Sequence, residues 1–148
     1  MAATAANKRV FSAFLSSDGK AAFMHGPTYM ANPLAATAAN ASLDLFESGE
    51  RLEQVYRIEK ALREQLEPCQ KIPGIEDVRV MGAIGVVQMT NPRDIDWLRQ
   101  RFTEENVWIR PFGDIVYLMP SFVISKDELT ALTRAVVTVM NEWSKRPA

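Results

Sequence analysis

His25-Gly26-Pro27-Thr28-Tyr29-Met30-Ala31-Asn32-Pro33-Leu34-Ala35-Ala36 places a Gly/Pro loop carrying a hydroxyl directly before a helix start. Asn32 can cap through its side-chain oxygen. Pro33 suits the first helical position, because its missing N–H would have had no partner there. The first amides of such a helix face outward with a partial positive charge, so the geometry that starts a helix can also seat an anion. Thr28 would add a hydroxyl donor. On the residues alone both readings stand, and a plain helix start is the commoner one.

Outward from this stretch, Asn32 to Ser48 reads as an Ala-rich helix with Leu34, Ala38, Ala41 and Leu45 on one face, stopped by Gly49. Upstream, Asn7 predicts the cap of a short helix carrying Val10, Phe11, Phe14 and Leu15, closed by the turn residues Ser16 to Gly19. Downstream, a helix over about 50–67 carries the stripe Leu52, Val55, Ile58, Leu62 and Leu66 and ends at Pro68. Cys69 then falls in a loop, as an exposed or half-buried thiol.

Val78 to Met81 and Ala83 to Met89 read as strands broken at Gly82; Gly82 and Gly85 predict a bulge or a close backbone approach. Asn91-Pro92 repeats the cap-plus-proline signal and predicts a helix to Glu105 with Ile95, Leu98 and Phe102 inward. Val107 to Arg110 and Ile115 to Met119 read as two short strands around Pro111-Phe112-Gly113-Asp114. Ser125-Lys126-Asp127-Glu128 is a capping box. It opens a last helix to Trp143, with Leu129, Leu132, Val136, Met140 and Trp143 on one stripe, before a frayed tail, Lys145 to Ala148. Helices in runs and strands in pairs predict an α+β domain whose small, mainly antiparallel sheet is covered on one face. A soft boundary falls near Gly49.

Composition narrows the function classes. The 148 residues are 47% hydrophobic and 24% charged, with 17 basic against 18 acidic side chains and a net charge of -1. That is a globular balance with no basic stripe for nucleic acid. One His and one Cys nearly exclude a protein-only zinc site, and a lone Cys cannot form an internal disulfide. No apolar run reaches the length of a membrane span and the N-terminus has no apolar secretion core, so the expected compartment is the cytoplasm.

The segment HGPTYMANPLAATAANASL, residues 25–43, resembles the His-Gly-x-Thr to Asn-Pro-Leu segment of class III, pyridoxal-phosphate-dependent aminotransferases. The Pro before the Thr is similar to the branch that makes diaminopelargonate in biotin synthesis. Val107-Trp108-Ile109-Arg110-Pro111-Phe112-Gly113, followed by Ile115-Val116-Tyr117-Leu118-Met119-Pro120, resembles the same branch near its C-terminus. Two matches in the right order, about 80 residues apart, are far more specific than either alone. Ser121 and Phe122 depart from the branch, which commonly has Pro and Tyr there.

The resemblance implies the C-terminal part of a fold type I chain. Residues 1–48 would belong to the large cofactor-binding domain and residues 49–148 to the small α+β domain. It implies amino transfer from S-adenosylmethionine to 8-amino-7-oxononanoate, giving 7,8-diaminononanoate. It also implies a cofactor, pyridoxal 5'-phosphate, and an active site shared across a homodimer. Gly26, Pro27 and Thr28 would contact the cofactor phosphate of the neighbouring subunit. Arg110 would grip the substrate carboxylate with its planar fork, and Tyr117 would line the same pocket.

The residues alone favour Arg110 as a strand-end arginine reaching solvent, a preference that the resemblance reverses, and leave Tyr117 nearly as readily a half-buried strand tyrosine. His25 reads as structural, and Trp108 and Phe112 as packing residues near the site. The family's cofactor lysine precedes His-Gly-x-Thr. Lys8 and Lys20 are the lysines before the motif here, and neither has that lysine's Gly-rich strand-end context. No catalytic residue is therefore assigned, and the expected behaviour of these residues alone is no turnover. Two other readings remain: another class III ω-aminotransferase, and a non-catalytic module that pairs with a lysine-bearing or full-length partner.

Overall fold

The computed structural model describes residues 2–147, and the chain divides into two units, Met1–Gly49 and Glu50–Ala148.

In the first unit, α1 (Lys8–Ser12) is capped by Asn7, whose side chain accepts from the Val10 amide. The helix stops short of Phe14 and Leu15, which the spacing had placed on it. A 3-10 turn (Gly19–Ala21) follows, capped by Asp18. α2 (Pro33–Glu47) begins as the sequence predicts, with Asn32 Oδ1 accepting from the Ala35 amide at 3.0 Å. No residue from 2 to 49 is buried.

The second unit holds the core. α3 (Arg51–Leu66) buries Ile58, Leu62 and Leu66. Leu52 does not join them: it sits one turn too early and is 82% exposed. Pro68 does not end the chain's winding but enters a 3-10 helix (Glu67–Lys71), where its missing N–H costs nothing. This turn carries Cys69 into the interior at 0% exposure, correcting the expected half-exposed loop thiol. Removal from water pushes the thiol up to about 12.

β1 (Ile75–Met81), β2 (Ile84–Met89) and β3 (Ile115–Leu118) form an antiparallel sheet in the order β1-β2-β3. A two-residue turn, Gly82-Ala83, joins β1 to β2 at the register Met81↔Ile84, with Gly82 at φ +54°. The bulge lies between Ile75 and Asp77, not at the glycines. Gly85 answers the other half of that expectation. A Cβ there would lie 2.9 Å from Leu66 Cδ1, so the bare backbone lets α3 settle onto the sheet.

α3 also grips the hairpin end, where Glu59 accepts from the Gly82 amide at 3.1 Å and Arg63 donates to the Val80 carbonyl at 2.8 Å. Val87, Met89, Val116 and Leu118 face the helices. Asp77, Arg79, Val86, Gln88, Ile115 and Tyr117, paired by register, make up the open face.

α4 (Ile95–Glu104) starts at Asp94, three residues later than Asn91-Pro92 predicted. Tertiary contacts override the local signal here. The Arg93 carbonyl accepts from Trp143 Nε1 at 3.1 Å and its guanidinium lies 4.5 Å over the Trp143 ring, holding the chain extended before α4. Asp94 caps with no side-chain bond, because its carboxylate pairs with Arg146 at 2.6 Å. That pair also corrects the frayed tail, although Ala148 lies outside the described residues.

α5 (Lys126–Ser144) opens on the capping box as read and buries Leu129, Val136, Met140 and Trp143. Arg101 ties α4 to α5 through Glu142 at 2.7 Å and holds its carboxyl below the usual carboxylate range. Among the described residues no helix is long and apolar enough to cross a membrane.

Candidate functional site

The loop before α2 turns twice. The Met30 amide donates to the Pro27 carbonyl at 2.9 Å and the Asn32 amide to the Tyr29 carbonyl at 3.2 Å. Ala31 takes φ +56°, unusual for a residue with a Cβ. Phe23, His25, Pro27, Tyr29, Met30, Asn32 and Ala35 line an open cleft of about 730 Å³ together with Ala2, Thr4 and Ala31. Gly26, Pro27 and Thr28 are all exposed. The His25 ring lies tilted by 49° against Phe23, centroids 5.7 Å apart, and Phe23 in turn meets Phe14 at 5.2 Å.

The α2 terminus has few donors to offer an anion. Pro33 carries no N–H and the Ala35 amide is taken by Asn32, while the Ala36 amide bonds the Asn32 carbonyl. Leu34 keeps the one free amide of the first turn. An oxyanion at this loop would therefore be held by the Thr28 hydroxyl and the loop amides around it more than by the helix. The Thr28 hydroxyl and the amides of Gly26 and Thr28, which make no hydrogen bond among the described residues, are donors of the kind a phosphate accepts from, while Lys8 and Lys20 are both exposed.

In the second unit, Arg110 is not on a strand. The Val107 amide turns back to the Phe102 carbonyl at 3.0 Å, and Pro111 has no N–H to give. Only the isolated bridge Phe112↔Ile115 forms, its two bonds running at 2.9 and 3.0 Å around Gly113 at φ +57°. No ladder pair joins Arg110 to Tyr117, because the arm carries only this isolated bridge.

Ile109 and Pro111 are buried on either side of Arg110, which is exposed and has no ion pair or side-chain hydrogen bond among the described residues. Tyr117 lies on the open sheet face opposite Val86 at 36% exposure. Trp108 at 82% and Phe112 at 75% exposure are not packing residues of this unit. The sequence had no signal for Gln88 and Asp114, whose side chains meet at 2.8 Å under the same turn.

The profile described as aminotransferase class-III matches residues 1–140. The adenosylmethionine-8-amino-7-oxononanoate aminotransferase of Corynebacterium glutamicum is 41% identical, over 91% of this chain and 32% of that protein. The enzyme of the same name from Saccharomyces cerevisiae is 35% identical over 97% of this chain and 32% of its own length. A Methanocaldococcus jannaschii structure of that name superposes with a TM-score of 0.78 at 23% identity, covering 90% of this chain and 33% of that one. A Bacillus anthracis aminotransferase does so at 0.79 and 24%, covering 91% and 34%. These two show the fold: a small three-stranded antiparallel sheet with helices, as expected.

The chain spans about a third of the length of the curated relatives it matches. It belongs to the class III aminotransferases, a family that works with pyridoxal phosphate.

Proposed function

We propose that these residues do the work of the C-terminal third of an adenosylmethionine-8-amino-7-oxononanoate aminotransferase. In that reading residues 1–48 belong to the large cofactor-binding domain and residues 49–148 form the small domain. The observation that carries it is the 41% identity over 91% of the chain to an enzyme of that name.

The exposed, unpaired Arg110 supports the substrate half of the reading. Its five N–H donors are unspent, and a carboxylate accepts two of them side by side. Tyr117, across the same turn, offers a hydroxyl to the substrate beside it. The Thr28 hydroxyl and the amides of Gly26 and Thr28 donate to phosphate oxygens of a cofactor held by a second subunit, with Pro27 fixing the loop's φ. When bound, pyridoxal phosphate supplies the electrophilic carbon and electron sink that amino transfer needs.

A lysine that serves this cofactor must be desolvated or set beside another cation to be nucleophilic. Lys8 and Lys20 are exposed, which supports the further reading that these residues do not turn over by themselves and act with a lysine-bearing partner.

A chimera tests this: the Corynebacterium glutamicum enzyme with its matching third replaced by this chain. It should aminate 8-amino-7-oxononanoate from S-adenosylmethionine. Arg110→Ala in that chimera should raise KM for the keto acid about 10–100-fold, the worth of a lost charged hydrogen-bonded pair, with a smaller change in kcat. Activity on varied ω-amines without activity on this keto acid would replace the reading with a broader class III transaminase. Turnover by the 148 residues alone would overturn the need for a partner.

A further inference from the structure

Four polar side chains cross the open face of the sheet in one connected row. Arg79 Nη1 donates to Asp77 Oδ2 at 2.8 Å and to Gln88 Oε1 at 2.6 Å, and Gln88 Nε2 donates to Asp114 Oδ2 at 2.8 Å. The row joins β1, β2 and the loop ahead of β3. It ends at Asp114, which is held twice, since its backbone carbonyl also accepts from the Met89 amide at 2.7 Å. Asp114 lies within the Phe112–Ile115 turn, and Arg110 enters that turn between buried Ile109 and Pro111.

Position 88 needs an unusual side chain. It must accept from a cation on one side and donate to a carboxylate on the other, and a neutral amide does both at once. A glutamate at 88 would repel Asp114. A lysine would repel Arg79 and leave no acceptor for it. We propose that Gln88 is a positioning residue. It fixes the Phe112–Ile115 turn through Asp114, and so sets the aim of Arg110 at a substrate carboxylate. The proposal rests on the reading of Arg110 as the carboxylate anchor.

The test uses the whole chain, with hexanoate as the carboxylate probe. Phenylglyoxal modification of Arg110 is followed by mass spectrometry with and without hexanoate, and exchange of the Phe112 and Ile115 amides is followed by NMR. Gln88→Met keeps the length of the side chain and loses both bonds. It should weaken hexanoate shielding about three- to tenfold and speed exchange at both amides by a similar factor, leaving α5 exchange unchanged. Gln88→Glu should do the same. Asp114→Asn keeps an acceptor oxygen and should stay near wild type, which a merely structural loss would not explain.

Shielding and exchange unchanged in Gln88→Met overturn the proposal and leave the anchor reading standing. No shielding of Arg110 in the wild-type chain overturns the anchor reading and this proposal together.

Discussion

Replacing Gly85 by alanine should destabilise the chain by about 1–3 kcal/mol, the usual cost of overpacking a filled core, read as a lower urea midpoint. The new Cβ would meet Leu66 Cδ1 at 2.9 Å and Leu62 at 3.5 Å, and both leucines are fully buried. Trimming Leu66 to valine in the same chain should restore part of the loss. Cys69 predicts a pH effect of definite sign. Its thiol is raised to about 12 in the fold against about 8.5 in the unfolded chain. Below that unfolded value both states are protonated and nothing changes. Above it only the unfolded state releases the proton, so stability should fall with pH between about 9 and 12, and Cys69→Ala should flatten that fall in denaturation curves. The sequence signalled a bulge or a close approach at Gly82 and Gly85; the bulge formed elsewhere, and the close approach is clearest at Gly85. It misread Cys69, because Pro68 looks like a stop and instead opens the 3-10 turn that takes the thiol inside. For the candidate site, Gly26, Pro27, Thr28 and Arg110 are proposed from motifs alone, while the spent donors at Asn32–Ala36 could be counted only in three dimensions.

Helix ends were legible where the signal is local and misread where a distant residue intervenes. Ser125 and Glu128 cap α5 reciprocally, at 3.2 Å to the Glu128 amide and 2.9 Å from the Ser125 amide, as their spacing requires. Ser125→Ala should therefore cost about 1 kcal/mol, measurable as a drop in thermal midpoint. Asn91-Pro92 carries an equally good local signal and caps nothing. Trp143 and Arg146, about fifty residues further on, claim the Arg93 carbonyl and the Asp94 carboxylate and delay α4 to Ile95. The Val107 to Arg110 segment failed as a strand for a similar reason. Its first amide closes the end of α4 on the Phe102 carbonyl, and its neighbour Pro111 cannot donate. Periodicity sees neither event.

Among the described residues, burial is confined to one unit: every buried one falls at Ile58 or later. Hydrogen exchange should divide accordingly, with amides of residues 8–47 exchanging within seconds to minutes and those of α3, β2 and α5 protected far longer at neutral pH. Protection in α2 equal to that in α5 would refute the division. The placement of Trp143, fully buried near the C-terminal end and bonded to Arg93, has a consequence for how the protein is made. The core that begins with Ile58 cannot close until α5 has left the ribosome. The leucines of α3 and the strands of the hairpin must wait, uncovered, until α5 has been translated. Through that interval their apolar side chains are open to other chains, so the order of translation sets how long this unit is prone to aggregate.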